Sequence, residues 1–187
     1  MVNLFKYFHC IEPLNTESET AILKICGHLK ADKNKILQPI GHSCKTIYFL
    51  EKGMARIFYF KEHVDITESF SFDNQLVVRF ESLFTGKPSQ KGIELLENSE
   101  LIAIDAAKLF KLFDLHPDIE RLFRKITEVA LVEQINRIES LQFHTAEERY
   151  KSLLSESPDI LKRVPLKHIA SYLGITAVSL SRIRASR

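Results

Sequence analysis

Gly174 separates two short apolar patterns, and this arrangement constrains the chain more tightly than any other feature of the sequence. The surrounding stretch, Pro165 to Arg184, reads PLKHIASYLGITAVSLSRIR. Proline suits the first position of a helix, where its missing N–H would have no partner anyway. Leu166, Ile169, Ala170 and Leu173 then recur at helical spacing. Gly174 falls where a chain leaves a helix in the left-handed conformation that glycine adopts cheaply, and Ile175 gives the turn an apolar anchor. Thr176 is placed to cap a second helix. In that helix Val178 or Leu180, with Ile183, can face the first, while Ala177, Ser179, Arg182 and Ser186 point elsewhere. The spacing predicts two helices joined by a tight turn.

Charge gives this pair a partner. The last 28 residues, 160–187, hold six Lys or Arg and no acid. Residues 145–187 carry eight Lys or Arg against four acidic residues, whereas the preceding 144 carry eighteen against twenty. A basic module on a slightly acidic body is the footprint of a phosphate-binding surface, because each neutralised phosphate releases counterions. Charge alone fits any solvated basic helix pair. Together with Gly174, Thr176 and the two apolar stripes it specifies a helix-turn-helix that binds double-stranded DNA.

The rest of the chain divides by periodicity. Residues 1 to about 30 read as helical, with Asn15 or Thr16 as cap and Ala21, Ile22, Ile25, Cys26 and Leu29 on one face. From Lys35 to Ala106 short β-like runs follow, KTIYFLEKG, MARIFYFKE, DITESFSF, QLVVRFE and GIELLENSELIAID, broken by Gly41, Gly53, Gly86 and Pro88. They predict an antiparallel β-barrel or jelly roll, with Gly53 turning a hairpin. AKLFKLFDLHPD then gives a short helix, and a long one is predicted from Pro117 to about Phe143. Its apolar stripe, which includes Ile119, Leu122, Phe123, Ile126, Val129, Ala130, Ile138 and Leu141, either packs on the barrel or pairs with a second copy across a two-fold axis. Thr145 and Glu148 form a capping box that opens the next helix, which Ser157 and Pro158 stop.

Several functional classes are disfavoured. No run approaches the 18 or so apolar residues of a membrane span, and MVNLFKYFHCIEPL lacks the apolar core of a secretory signal, so a cytoplasmic location without membrane contact is expected. Cys10, Cys26 and Cys44 form neither an even disulfide set nor a metal-binding spacing. Seven histidines are scattered without ligand spacing, and no nucleophile elbow, zinc-protease motif or phosphate-cradling glycine loop occurs. The chain is therefore read as non-enzymatic, with no metal and no cofactor.

The order of small barrel, long helix and helix-turn-helix resembles the catabolite activator (CRP/FNR) superfamily of transcription regulators along essentially the whole chain. IYFLEKGMARIFYF is similar to the family's cyclic-nucleotide-binding hairpin, and RVPLKHIASYLGITAVSLSRIR to its winged helix-turn-helix, the more specific match; AEERYKSLL resembles the helix before the reader. The resemblance implies an α+β chain in three parts. These are a cyclic-nucleotide-binding-like domain over 1–115, a dimerisation helix over 116–143 and a DNA-binding domain over 144–187. It also implies a homodimer that regulates transcription, with RNA polymerase as a further partner. The sequence given stops at Arg187, so no wing is expected beyond the second helix, and the hinge near Phe143 would carry any signal alone.

In that family a phosphate-binding cassette holds cyclic AMP with a Gly-Glu pair on the ribose and an Arg-Ser or Arg-Thr pair on the phosphate. Here the matching stretch is VVRFESLFTGKPSQKGIELL, with Arg79 and Phe80 at the first pair and Gln90 and Lys91 at the second. Phe80 cannot accept from a ribose hydroxyl, and neutral Gln90 cannot form a charged fork. Cyclic AMP is accordingly not expected to bind. Glu81 as a shifted acceptor, Ser82, and Arg79, Lys87 or Lys91 as shifted anion contacts leave an effector-gated sensor as the alternative. In the reader, the resemblance points to Arg182 as the base-reading residue with Ser179 beside it, and to Ala177 or Val178 against a thymine methyl. Lys167, His168, Ser171, Thr176, Arg184 and Arg187 are the expected phosphate contacts.

Overall fold

The computed structural model describes residues 1–185. The chain opens with α1 (Val2–Ile11), which buries Leu4 and Phe8 four residues apart, and α2 (Thr16–Leu23), whose first turn is capped by Asn15 accepting from the Ser18 backbone N–H at 2.9 Å. The helical reading to about residue 30 is corrected here. Helix α2 ends at Leu23, and β1 (Cys26–Ala31) pairs antiparallel with β8 (Ser99–Asp105), Cys26 opposite Ile104. A partner strand distant in sequence overrides the local apolar period.

Six further strands complete two sheets: β2 (Ile36–Gln38), β3 (Thr46–Lys52), β4 (Ala55–Lys61), β5 (Val64–Ser71), β6 (Gln75–Val77) and β7 (Gly92–Leu95). One sheet runs β1-β8-β3-β6 and the other β2-β7-β4-β5, so the β domain is a jelly-roll sandwich of two open sheets and not a closed barrel. Leu50, Ala55, Ile57, Val77, Ile93 and Leu101 form a buried cluster drawn from both sheets. The run QLVVRFE leaves the sheet after Val77 and enters α3 (Phe80–Thr85), and GIELLENSELIAID divides into β7 and β8.

Gly53 makes the β3–β4 turn as its sequence position predicts. Its φ is +124°, and a Cβ there would lie 2.1 Å from Ser99 Oγ, so both conformation and space require glycine. On the neighbouring strand pair Ile57 faces Ser69 while Phe58 faces Thr67, which leaves Glu68 as the extra residue of a β-bulge in β5.

The sandwich leads into α4 (Ala106–Phe113) and then α5 (Pro117–Phe143), whose bounds match the predicted helix. Ile119, Leu122, Phe123 and Ile126 are buried in the same cluster as Leu4, Phe8 and Ile47. Four shorter helices follow: α6 (Ala146–Glu156), opened by the full Thr145–Glu148 capping box, α7 (Ile160–Arg163), α8 (Leu166–Tyr172) and α9 (Ala177–Ala185). Pro165 is the residue before α8 and not its first, and Gly174 leaves that helix at φ +70°. Among the described residues this C-terminal unit is wholly helical.

Candidate nucleic-acid interface and ligand cassette

Helix α9 presents one face and buries the other. Leu180 is fully buried and Ile183 partly, both in the cluster formed by Ile169, Ala170 and Leu173 of the α8 segment. Val178 is 62% exposed, which resolves the choice left by the sequence: Leu180, not Val178, faces α8. The Thr176 hydroxyl accepts from the Ser179 backbone N–H at 3.1 Å, the cap expected at the second helix. Ala177, Arg182 and Arg184 are exposed on α9, and Lys167 on α8. Ser186 and Arg187 lie outside the described residues.

The basic residues of this unit fall into two groups. Arg149 donates to the Leu173 carbonyl at the C-terminal end of α8, at 2.8 and 3.0 Å, and Lys162 pairs with Asp159. Arg163 binds Asp73 at 2.9 Å, Glu97 at 2.6 Å and the Gly53 carbonyl at 3.1 Å, all on the sandwich. Among the described residues Lys167, Arg182 and Arg184 hold no ion pair.

His168 and Ser171, expected to reach phosphates, face the other way because α8 is docked on β5. His168 is 7% exposed, with Nδ1 2.9 Å from Nη1 of Arg56. The Ser171 hydroxyl accepts from the Thr67 backbone N–H at 3.1 Å and donates to the His168 carbonyl at 3.0 Å. Arg56 is itself 3% exposed and forms a bidentate pair with Asp65 at 2.6 and 2.7 Å, while its Nε donates to Glu94 at 2.6 Å. A guanidinium only donates, so His168 Nδ1 is an acceptor and the ring is neutral. Burial, and then the Arg56 charge, pushes the His168 pKa down to about 4. Burial alone would raise the Asp65 carboxyl, but the hydrogen bonds and charge of Arg56 hold it below its usual range. Phe70 meets Tyr172 at 5.2 Å between ring centres, and Met54 and Leu96 enter the apolar core of the reader. The hinge near Phe143 is therefore not the sole link between body and reader.

In the cassette the structure brings together only part of the expected set. Arg79 donates to Glu68 at 2.8 Å, and Lys91 makes a short contact with the other oxygen of the same carboxylate. Glu68 was not legible in the sequence as a site residue; its bulged position in β5 brings it to both cations. Arg79 Nε is buried with no partner. Arg137 of α5 adds to this charge. Its guanidinium lies 4.0 Å over the Tyr172 ring and interacts electrostatically with Glu68 and Tyr59. Ser82 is no ligand group, because it is fully buried and its hydroxyl accepts from the Cys44 backbone N–H at 2.8 Å and donates to the Lys87 carbonyl at 2.6 Å. Phe80 packs beside the core and stacks on Phe84. Glu81 stands 4.0 Å from Arg79, while Gln90 is exposed with its side chain outside these contacts.

The second half of α5 carries a bare apolar stripe among polar residues. Leu131, Ile135 and Ile138 are 61%, 46% and 54% exposed, and Val129, Val132, Leu141 and Phe143 are exposed as well. Among the described residues no helix is long and apolar enough to cross a membrane.

A jelly-roll sandwich followed by a long helix and a helix-turn-helix defines the fold of the CRP/FNR transcription regulators, and this chain has it. Among solved structures it is similar to FixK2 of Bradyrhizobium japonicum, at 16% identity and a TM-score of 0.74 over 87% of this chain and 84% of that one. It is also similar to the c-di-GMP-responsive regulator CLP of Xanthomonas campestris, at 16% identity and 0.70 over 92% and 91%. The catabolite activator protein of Thermus thermophilus matches at 18% identity and 0.60 over 96% and 85%. No family model and no curated protein sequence matches the chain.

Proposed function

We propose that this chain is a dimeric, sequence-specific DNA-binding transcription regulator of the CRP/FNR type, acting in the cytoplasm and without cyclic AMP. The observation that carries the reading is the exposed face of α9, where Arg182 stands one turn from Val178 and, among the described residues, holds no ion pair, on a helix braced by Leu180. Such a helix fits the major groove, where a guanidinium can bond O6 and N7 of guanine together. The bare stripe from Val129 to Leu141 supports pairing with a second copy, which presents two readers to a two-fold operator. The sandwich then serves as a scaffold for dimerisation and for contact with RNA polymerase.

Independence from cyclic AMP rests on Glu68. Its carboxylate already engages Arg79 and Lys91, so a cyclic phosphate would have to displace an internal anion. Phe80 and exposed Gln90 supply no replacement contacts. Selection of bound fragments from a random DNA pool, without added ligand and at moderate salt, tests the proposal. A two-fold symmetric motif is the expected product; absence of any enriched motif overturns ligand-independent recognition.

One feature supports a second reading, an effector-gated sensor. Three cations, Arg79, Lys91 and Arg137, act on the carboxylate of Glu68, with exposed Glu81 4.0 Å from Arg79 as the second acid, and Arg79 keeps an unpartnered Nε–H. A multiply charged anion displacing Glu68 would satisfy this excess. A melting temperature that rises with pyrophosphate but not with cyclic AMP would favour this reading over the first.

A further inference from the structure

Against helix α3 of the cassette, whose Phe80 lines it, the structure holds an open cavity of about 290 Å³ between α3, α4 and the N-terminal half of α5. Neither Glu68, Arg79 nor Lys91 lines it, so it is separate from the cationic cluster. Protein interiors are normally close-packed, and a gap of this size lies at the lower edge of small-ligand sites. One wall is a run of phenylalanine rings. Phe80 and Phe84 stack at 5.7 Å and 18°, Phe84 and Phe110 at 6.3 Å and 27°, and Phe113 joins Phe110 at 5.6 Å. Phe84 is 56% exposed, an aromatic ring left uncovered at the mouth.

The opposite wall, on α5, is mixed: Phe123 and Leu131 are apolar, and Glu120, Arg124, Thr127 and Glu128 are polar. Arg124 is spent on Glu128 four residues along, at 2.5 Å. Glu120 also lines the cavity, and among the described residues it holds no ion pair, so the rim carries one uncompensated negative charge.

We propose that this cavity binds a small lipophilic cation, an aryl or alkyl ammonium. Aromatic faces are negative at their centres and attract a desolvated cation, and quaternary ammonium groups are held in aromatic cages by this means. The free Glu120 carboxylate adds attraction for a cation and repels an anion. The apolar walls exclude strongly hydrated ions, which leaves a cation with an apolar body as the complementary guest.

The test is calorimetric titration of the whole protein with benzyltrimethylammonium, with its neutral near-isostere dimethylbenzylcarbinol, and with phenylacetate. The cation is expected to bind about tenfold tighter than the alcohol, with phenylacetate weakest. Phe84→Ala, at an exposed ring, weakens the cation about tenfold. Glu120→Gln narrows the gap between cation and alcohol without changing the affinity for the alcohol. Equal binding of all three probes, or an unchanged affinity in Phe84→Ala, overturns the proposal. Absence of binding overturns it too, and is the result expected if the side chains of a second copy fill the cavity.

Discussion

Nδ1 of His168 lies 2.9 Å from Nη1 of Arg56, and this contact joins the first helix of the reader to the interior of the sandwich. It works only while the imidazole is neutral, since a protonated ring would set two positive charges against each other. The folded pKa, about 4, lies below the ordinary value of 6.5, so protons are bound preferentially when the contact is broken. The stabilisation is complete above about pH 6.5 and is lost as pH falls towards 4. Protection factors of α8, taken relative to intrinsic exchange at each pH, should therefore fall over that range, ahead of α5. In His168→Gln, which keeps an acceptor without the titration, that fall should be absent. Parallel behaviour of the two proteins would show that other groups control docking.

Glu68 neutralises Arg79 and Lys91 in a half-buried setting. Glu68→Ala leaves both cations unsatisfied, and a stability loss of about 1–3 kcal/mol is expected in denaturant unfolding. The same variant should gain a rise in melting temperature with inorganic phosphate, to which the unaltered protein is indifferent. Loss of stability without any anion response would show that Glu68 is a structural partner and not a stand-in for a ligand.

The exposed stripe on α5 predicts a mass change. Ile135→Asp and Ile138→Asp each place a charge at the centre of the proposed helix pair while touching no buried cluster. Sedimentation equilibrium should show a dimer for the unaltered chain and a monomer for the double variant. Urea unfolding of the monomer should retain a cooperative transition. Identical masses for the two proteins would remove α5 as the interface.

Two cations of the reader should act differently on DNA. Arg182→Ala is expected to relax preference at one base pair by about 1–3 kcal/mol. Lys167→Ala should weaken all sequences alike and lower the salt-dependence slope by about one. Binding titrations on a matched and a mismatched operator over a range of salt separate the two effects. Uniform weakening in Arg182→Ala would reassign that residue to phosphate.

What could be read from the sequence was whatever depended on neighbours in the chain. Helix α5 was legible at both ends because Pro117, the apolar period and the Thr145–Glu148 capping box are all local signals. Gly53 and Gly174 announced turns that the backbone makes. Strand β1 was hidden, since its ladder partner lies in β8, and its apolar residues at 26 and 29 suit a helix as well as a strand. His168 was misplaced for a similar reason. Beside Lys167 in a basic helix it reads as a phosphate contact, and only the buried guanidinium of Arg56 on another element reverses that reading. Arg79 and Lys91 were picked out, but the bulge that brings Glu68 to them has no sequence signature.

The docking of α8 on β5 bears on the operators such a protein can use. A reader tethered only through a hinge could swing to meet half-sites at several separations. Here Arg163 on Asp73 and Glu97, His168 on Arg56, and Ser171 on Thr67 anchor the reader to the body, so in a two-fold dimer the body itself acts as a ruler. One base pair added between half-sites rotates one against the other by roughly 35°, given 10–10.5 base pairs per turn. A rigidly held pair of readers cannot follow that rotation, so in the proposed dimer spacing as well as base sequence would set which operators are bound.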